Sequence, residues 1–170
     1  MVATWSASLQ AQVDPPVVNA CEFLTAAEVS TATGLPAQAG SRRDAGPETN
    51  GAYSSTCIWV LDREDVTADP MAPLGGRSFV ILNVMRWPDG SGRADSFLQA
   101  FRDAADIGEI PRQPAARDFG DAALWWGDGL AVREDDVAFG VSVWIPGHVT
   151  DRPGEIEELL APAILQRLER

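Results

Sequence analysis

Apolar and polar positions alternate along this chain in short blocks rather than in one long run. The clearest period-two block is Thr56-Cys-Ile-Trp-Val-Leu61. Its β-branched and aromatic residues favour extended backbone, and alternation puts Cys57, Trp59 and Leu61 on one face. Arg77 to Trp87 reads as the next strand, ended by Pro88-Asp-Gly90. Ala122 to Trp126, Gly129 to Arg133 and Val137 to Ile145 read as three more, with turns at Gly127-Asp128-Gly129 and Glu134-Asp-Asp136. In the last of them Val137, Phe139, Val141, Val143 and Ile145 form a rich apolar face. Ala138, Gly140, Ser142 and Trp144 form a shallow floor of small residues with a tryptophan at its end.

Helical periodicity occurs three times. Thr25 is placed to cap a helix, Glu28 three residues later completes a capping box, and Leu24 and Val29 occupy the two staple positions. Gly34 supplies the left-handed residue that ends this helix, and Pro36 blocks its continuation. Residues 93 to 106 set Phe97, Phe101 and Ala104 at i, i+4 and i+7. A last helix starts near Pro153 with Ile156, Leu159, Leu160, Ala163 and Ile164 along one stripe, and Pro162 is expected to kink it. Residues 37–55 read as a long surface loop, 62–76 as an acidic second loop and 107–118 as a proline-rich connector.

The expected fold is α+β: a mostly antiparallel, curved sheet of about five strands with helices packed on one face. Both halves of the chain run helix, strand with a tryptophan, strand ending in tryptophan and proline (Trp87-Pro88, then Trp144-Ile-Pro146). Two duplicated α-β-β halves would explain this order. So would the independent recurrence of a unit that packs well.

The length of 170 residues and the 45% hydrophobic fraction fit one domain with a sizeable core, placed at residues 17–170. Residues 1–16, with Ala7, Ser8 and Ala11, read either as a signal-peptide remnant or as a flexible tail; no basic n-region is present. No apolar run approaches the ~20 residues that span a bilayer. The two cysteines sit at a helix start and on a strand. With the signal-like N-terminus they predict a Cys21–Cys57 disulfide and an extracytoplasmic location, periplasmic or secreted. Free core thiols are the alternative. A net charge of −12 opposes binding to nucleic acid or anionic membrane surfaces.

Cys21-Glu-Phe-Leu-Thr-Ala-Ala-Glu-Val29 with Gly34, and Cys57-Ile-Trp59 further on, resemble a domain of unknown function in small secreted proteins and lipoproteins of bacteria, best known from actinobacteria. That family's pattern is Cys-x-Leu-Leu-Thr-x-x-Glu-Val followed by Cys-x-Trp. Phe119-Gly-Asp-Ala-Ala-Leu-Trp125 looks like its Gly-Asp-x-Ala-x-Trp segment. Leu160-Ala161 and Leu165-Gln-Arg-Leu168 look like its closing helix. The resemblance spans roughly residues 17 to 169. Phe23 stands where leucine is usual, and Asp14, Pro15 and Pro16 replace the apolar stretch that lipidation at Cys21 would need. The resemblance implies no catalytic residues.

Candidate chemistry is sparse. His148 is the only histidine and follows Pro146-Gly147, with Ser142 and Asp151 nearby in sequence. No spacing indicates a Ser-His-Asp site, and no nucleophile elbow is present; an exposed loop histidine is the expectation. Asp62/Glu64/Asp65/Asp69 and Glu134/Asp135/Asp136 do not match an EF-hand. One histidine and two dispersed cysteines supply no zinc set. Gly75-Gly76-Arg77 precedes a strand rather than a helix, so no phosphate loop and no cofactor are expected.

The six tryptophans are the over-used type. Trp125 and Trp126 must point to opposite faces. Trp144, Trp126, Trp125, Trp87 and Arg86 are therefore the candidate ligand- or partner-binding residues on the small-residue floor. A lid from residues 37–55 or 107–118 is the alternative cover. The expected function is a non-catalytic extracytoplasmic domain that binds a protein or cell-envelope ligand. The alternatives are a small hydrolase using His148 with a loop carboxylate, and an acidic inhibitor or immunity-type protein.

Overall fold

The computed structural model describes residues 14–62, 77–148 and 152–169. A short 3-10 turn at Ala20–Glu22 leads into α1 (Ala26–Thr33). Then follow β1 (Ser41–Pro47), β2 (Tyr53–Leu61), β3 (Ser78–Arg86), α2 (Asp95–Asp106), β4 (Ala115–Arg117), β5 (Ala122–Trp125), β6 (Leu130–Glu134), β7 (Val137–Trp144) and α3 (Glu155–Leu168). The strands form one open sheet in the order β1-β2-β3-β7-β6-β5-β4, and every neighbouring pair is antiparallel. The α+β class and antiparallel pairing are as expected. The strand number is not: the described sheet has seven strands instead of about five. The two additions are its edges. β1 lies within the predicted 37–55 loop and β4 within the predicted connector. Neither carries the alternation that marks a half-buried strand, because neither buries a face.

The central β3–β7 ladder sorts the two sheet faces. Val80, Leu82 and Val84 sit opposite Val143, Val141 and Phe139 on the inner face. Phe79, Ile81, Asn83 and Met85 sit opposite Trp144, Ser142, Gly140 and Ala138 on the outer face. The inner residues join Cys57, Trp59, Leu130 and Val132 in the main core, capped by Leu24 and Val29 near α1 and by Ile156, Leu160 and Ile164 of α3. α2 lies on the other side, where Leu98 packs with Leu124 and Ala131. The helices therefore cover both faces rather than one. Periodicity shows which side of a helix is apolar, but not which face of a sheet that side meets.

Symmetry does not extend to two α-β-β halves. The strand order pairs two meanders at β3–β7, and an antiparallel seam needs a twofold axis perpendicular to the sheet. Such an axis keeps equivalent helices on one face, whereas α1 and α2 occupy opposite faces. The matched tryptophans also differ in place: Trp59 is on β2, beside the seam strand β3, and Trp125 is on β5, two strands from β7.

Local capping is as the sequence predicts. Thr25 N–H donates to Glu28 Oε2 at 2.8 Å, Glu28 N–H donates back to Thr25 Oγ1 at 3.2 Å, and Gly34 ends α1 at φ 69°. Burial alone would raise the Glu28 pKa; Arg167 and Thr25 together hold it below the usual carboxylate range. Arg167, near the end of α3, also donates to Phe23 O at 3.1 Å, which ties the last helix to the start of the first. α3 continues through Pro162 to Leu168.

Cys21 and Cys57 form a disulfide, so the 3-10 turn is bonded to β2 across 36 residues. A polar clasp surrounds it. Ala20 N–H donates to Ser55 Oγ at 3.0 Å, Ser55 donates to Asp44 at 2.6 Å, and Arg42 pairs with Asp44 and reaches Val18 O. Gly40 passes so close that a Cβ there would sit 2.6 Å from Cys57 Sγ and 2.9 Å from Trp59 Nε1. No described helix is long and apolar enough to cross a membrane.

Candidate functional site

A cleft of about 240 Å³ opens where β5, β7 and α3 meet. Each wall has a local cause. Trp126 N–H donates to Gly129 O and Gly127 takes φ 115°, so β5 turns tightly into β6 and presents Trp125 and Asp128. β7 ends at Trp144, and Pro146-Gly147 then makes a turn closed by His148 N–H donating to Ile145 O. Gly147 takes φ 73° there, as the second central residue of a turn with proline before it can. Gly154 opens α3 at φ 87°, and a Cβ on it would lie 2.8 Å from the Trp125 ring. A glycine is needed at that point for both conformation and room, and it lets the indole lie against the start of the helix.

Glu157 forms the buried side of the cleft. It is 5% exposed and accepts a hydrogen bond from Val143 N–H at 3.0 Å. Its neighbour Glu158 is neutralised by Arg117 at 2.8 Å and Arg152 at 3.0 Å. Glu157 has no cationic partner among the described residues. Burial pushes its pKa above the usual carboxylate range; the backbone N–H groups of Glu157 and Val143 oppose this only in part, and Glu158 adds to it.

A carboxyl with a raised folded-state pKa favours the fold below the ordinary range near pH 4, and that contribution is lost as pH rises through the raised value. Glu157→Gln, whose side-chain oxygen can still accept from Val143, is expected to be more stable than the parent chain at pH 7. The difference should vanish below about pH 4. Thermal melts across that range decide it; a difference independent of pH would contradict the assignment.

The sequence candidates separate into three places. Trp125 and Trp144 line the cleft together with His148, and Trp144 is 50% exposed. Trp126 points to the opposite face from Trp125 and lies over Gly140 beside Ser142, stacked on Phe101 of α2 at 4.5 Å. The small-residue floor is thus covered mainly by α2 and Trp126, and the predicted 37–55 segment contributes Ala52, which packs with Trp87 against Ala138; the Trp144 end is open. Trp87 is a correction: it is fully buried with Ala52, Ala94 and Ala138 and presents no surface.

Arg86 lies apart from this cleft. It pairs with Val137 at the far end of the β3–β7 ladder from Trp144 and lines a separate depression of about 600 Å³ with Asp89, Asp136 and Arg167. Asp136 has a structural task there. It accepts from the N–H groups of Gly90 and Gly92 and from the Ser91 hydroxyl, and these bonds outweigh burial and lower its pKa.

Ser142 is set against Gly129 under Trp126, away from the cleft. The described lining contains no serine, threonine or cysteine, and Asp151 lies outside the described residues. Asp62 accepts from Gln38 at the end of β2, while Glu64, Asp65 and Asp69 also lie outside. Among the described residues no group of three or more His, Cys, Asp or Glu could hold a metal. Glu157 was missed by pattern reading, yet a signal existed: it precedes the buried Leu160, Ala161 and Ile164 by three, four and seven residues.

Comparison of the chain with protein-family models, curated proteins and solved structures gives no match.

Proposed function

We propose that the chain is a non-catalytic, extracytoplasmic domain that takes a group from a protein or cell-envelope ligand into the Trp125/Trp144 cleft. One observation carries the reading: a large, half-exposed tryptophan stands at a concave site that also contains a buried carboxylate. Exposed aromatics beside concave polar groups are characteristic of binding sites. The Cys21–Cys57 disulfide supports an oxidising compartment, as does the resemblance to secreted bacterial domains. In affinity capture from a cell-envelope extract, Trp144→Ala is expected to lose at least ten-fold in retained ligand while its melting temperature stays near that of the parent chain. Equal capture by both proteins would remove the cleft from the function.

A hydrolase is the second reading, because His148 and three carboxylates, Asp128, Glu155 and Glu157, line the same cleft. The described lining offers no hydroxyl or thiol nucleophile, so the reaction would use His148 or a carboxylate, as general base toward water or as the attacking group. On the binding reading His148→Ala leaves capture and stability unchanged. A hydrolytic activity of the parent chain that disappears in this variant would reverse the order of the two.

A further inference from the structure

Two carboxylates begin α3 side by side, and the structure treats them differently. Glu158 has two arginines. Glu157, the more buried of the pair, has none among the described residues. A buried charge is ordinarily paired. The helix start itself supplies partial positive charge, but Glu155, Glu157 and Glu158 all share it. The described lining of the cleft contains no arginine, and the chain has no lysine at all. What the cleft presents instead is the buried Glu157, with Asp128, Glu155 and His148 also in its lining, the Trp125 indole, and Trp144 at its edge. Carboxylates with tryptophan recognise one chemistry in common: the indole face attracts a cation, and a desolvated carboxylate pairs with it.

We propose that this cleft is a receptor for an organic cation, an alkylammonium or guanidinium group, with Glu157 as counter-charge, the Trp125 indole as a wall and the half-exposed Trp144 at the rim. The proposal rests on the binding reading above and names its ligand class. About 240 Å³ accommodates a head group with a short alkyl stem rather than an extended ligand. The overall charge of −12 would draw cations towards the whole surface, so the site must be distinguished from that general attraction. A buried carboxylate makes this feasible, because its loss barely alters the field outside.

The test titrates the whole chain with n-butylammonium, butylguanidinium, n-butanol and butyrate, following tryptophan fluorescence and calorimetric heat. Saturable binding of at least one cation is expected, with none for butanol or butyrate. Glu157→Gln should weaken it at least ten-fold, and Asp128→Asn by less. Glu48→Gln, on the far surface, should match the parent chain. Capped lysine and arginine amides distinguish the source. Tighter binding than the bare amine means a protein side chain is the natural group, and equal binding means a free amine.

Absence of saturation by either cation, equal binding by Glu157→Gln, or preference for butyrate overturns the proposal. If the cations fail but Trp144→Ala still abolishes capture of an envelope ligand, the cleft reading survives with a different ligand. If both fail, both are wrong.

Discussion

A Cys21→Ala/Cys57→Ala double variant is expected to melt roughly 10 °C below the parent chain. The disulfide closes a 36-residue loop, which the chain-entropy treatment values at about 4 kcal/mol. The loss should not stop there. The bridge anchors the Ala20–Glu22 turn on β2, where Ala20 N–H meets Ser55 and Ser55 meets Asp44. Without the covalent link these bonds must hold the N-terminal segment alone, and Leu24, at the entrance to α1, would hold its place in the core less firmly. Alkylation of the unreduced parent chain should modify no thiol, and reduction should release two. Two reactive thiols before reduction, or a double variant with unchanged melting, would sink this account.

Trp87→Ala should be comparably severe and Trp144→Ala mild. Trp87 is fully buried between Ala52, Ala94 and Ala138, small residues that cannot close the space it leaves. Removal of a core tryptophan costs about 3–5 kcal/mol. Its Nε1 has no hydrogen-bond partner among the described residues, so the side chain contributes by volume rather than by polar contact. Trp87→Phe is therefore expected to cost well under half as much as the alanine change. Trp144 is half-exposed, and its loss should stay within about 1 kcal/mol. Denaturant melts of the three variants decide it. Equal losses for Trp87→Ala and Trp144→Ala would mean that the two tryptophans have been assigned to the wrong environments.

Much of the fold could be read from residues whose local and global preferences agree. Thr25, Glu28 and Gly34 define α1 through hydrogen bonds a few residues apart, so nothing distant can override them. Cys57, Trp59 and Leu61 mark an inward face because β2 is buried on one side by helices. The edges were illegible for the converse reason. In β1, Ser41–Pro47, no side chain is fully buried; its strand character comes from pairing with β2, which composition does not report. Trp125 and Trp126 were correctly sent to opposite faces, since that follows from backbone geometry alone. Whether each then meets solvent or a helix depends on where α2 lands, and the spacing of Phe97 and Phe101 does not specify it. Trp87 and Arg86 do not join Trp144 for a related reason: adjacency to a strand exit says nothing about which end of the sheet carries the cleft. Glu157 went unread because a carboxylate in the first helical turn is ordinarily a solvated partner of the helix dipole.

The position of α3 after the described strands has a consequence for how the protein is made. Leu160, Ala161 and Ile164 seal an inner face built from Val80, Leu82, Phe139 and Val141. All seven described strands are synthesised before the helix that seals them. A growing chain therefore passes through an interval in which a nearly complete sheet carries a bare oily surface. That is the state in which nascent proteins stick to one another or engage holdases. The α3 residues Glu155–Leu168, which include no tryptophan, decide how long the interval lasts.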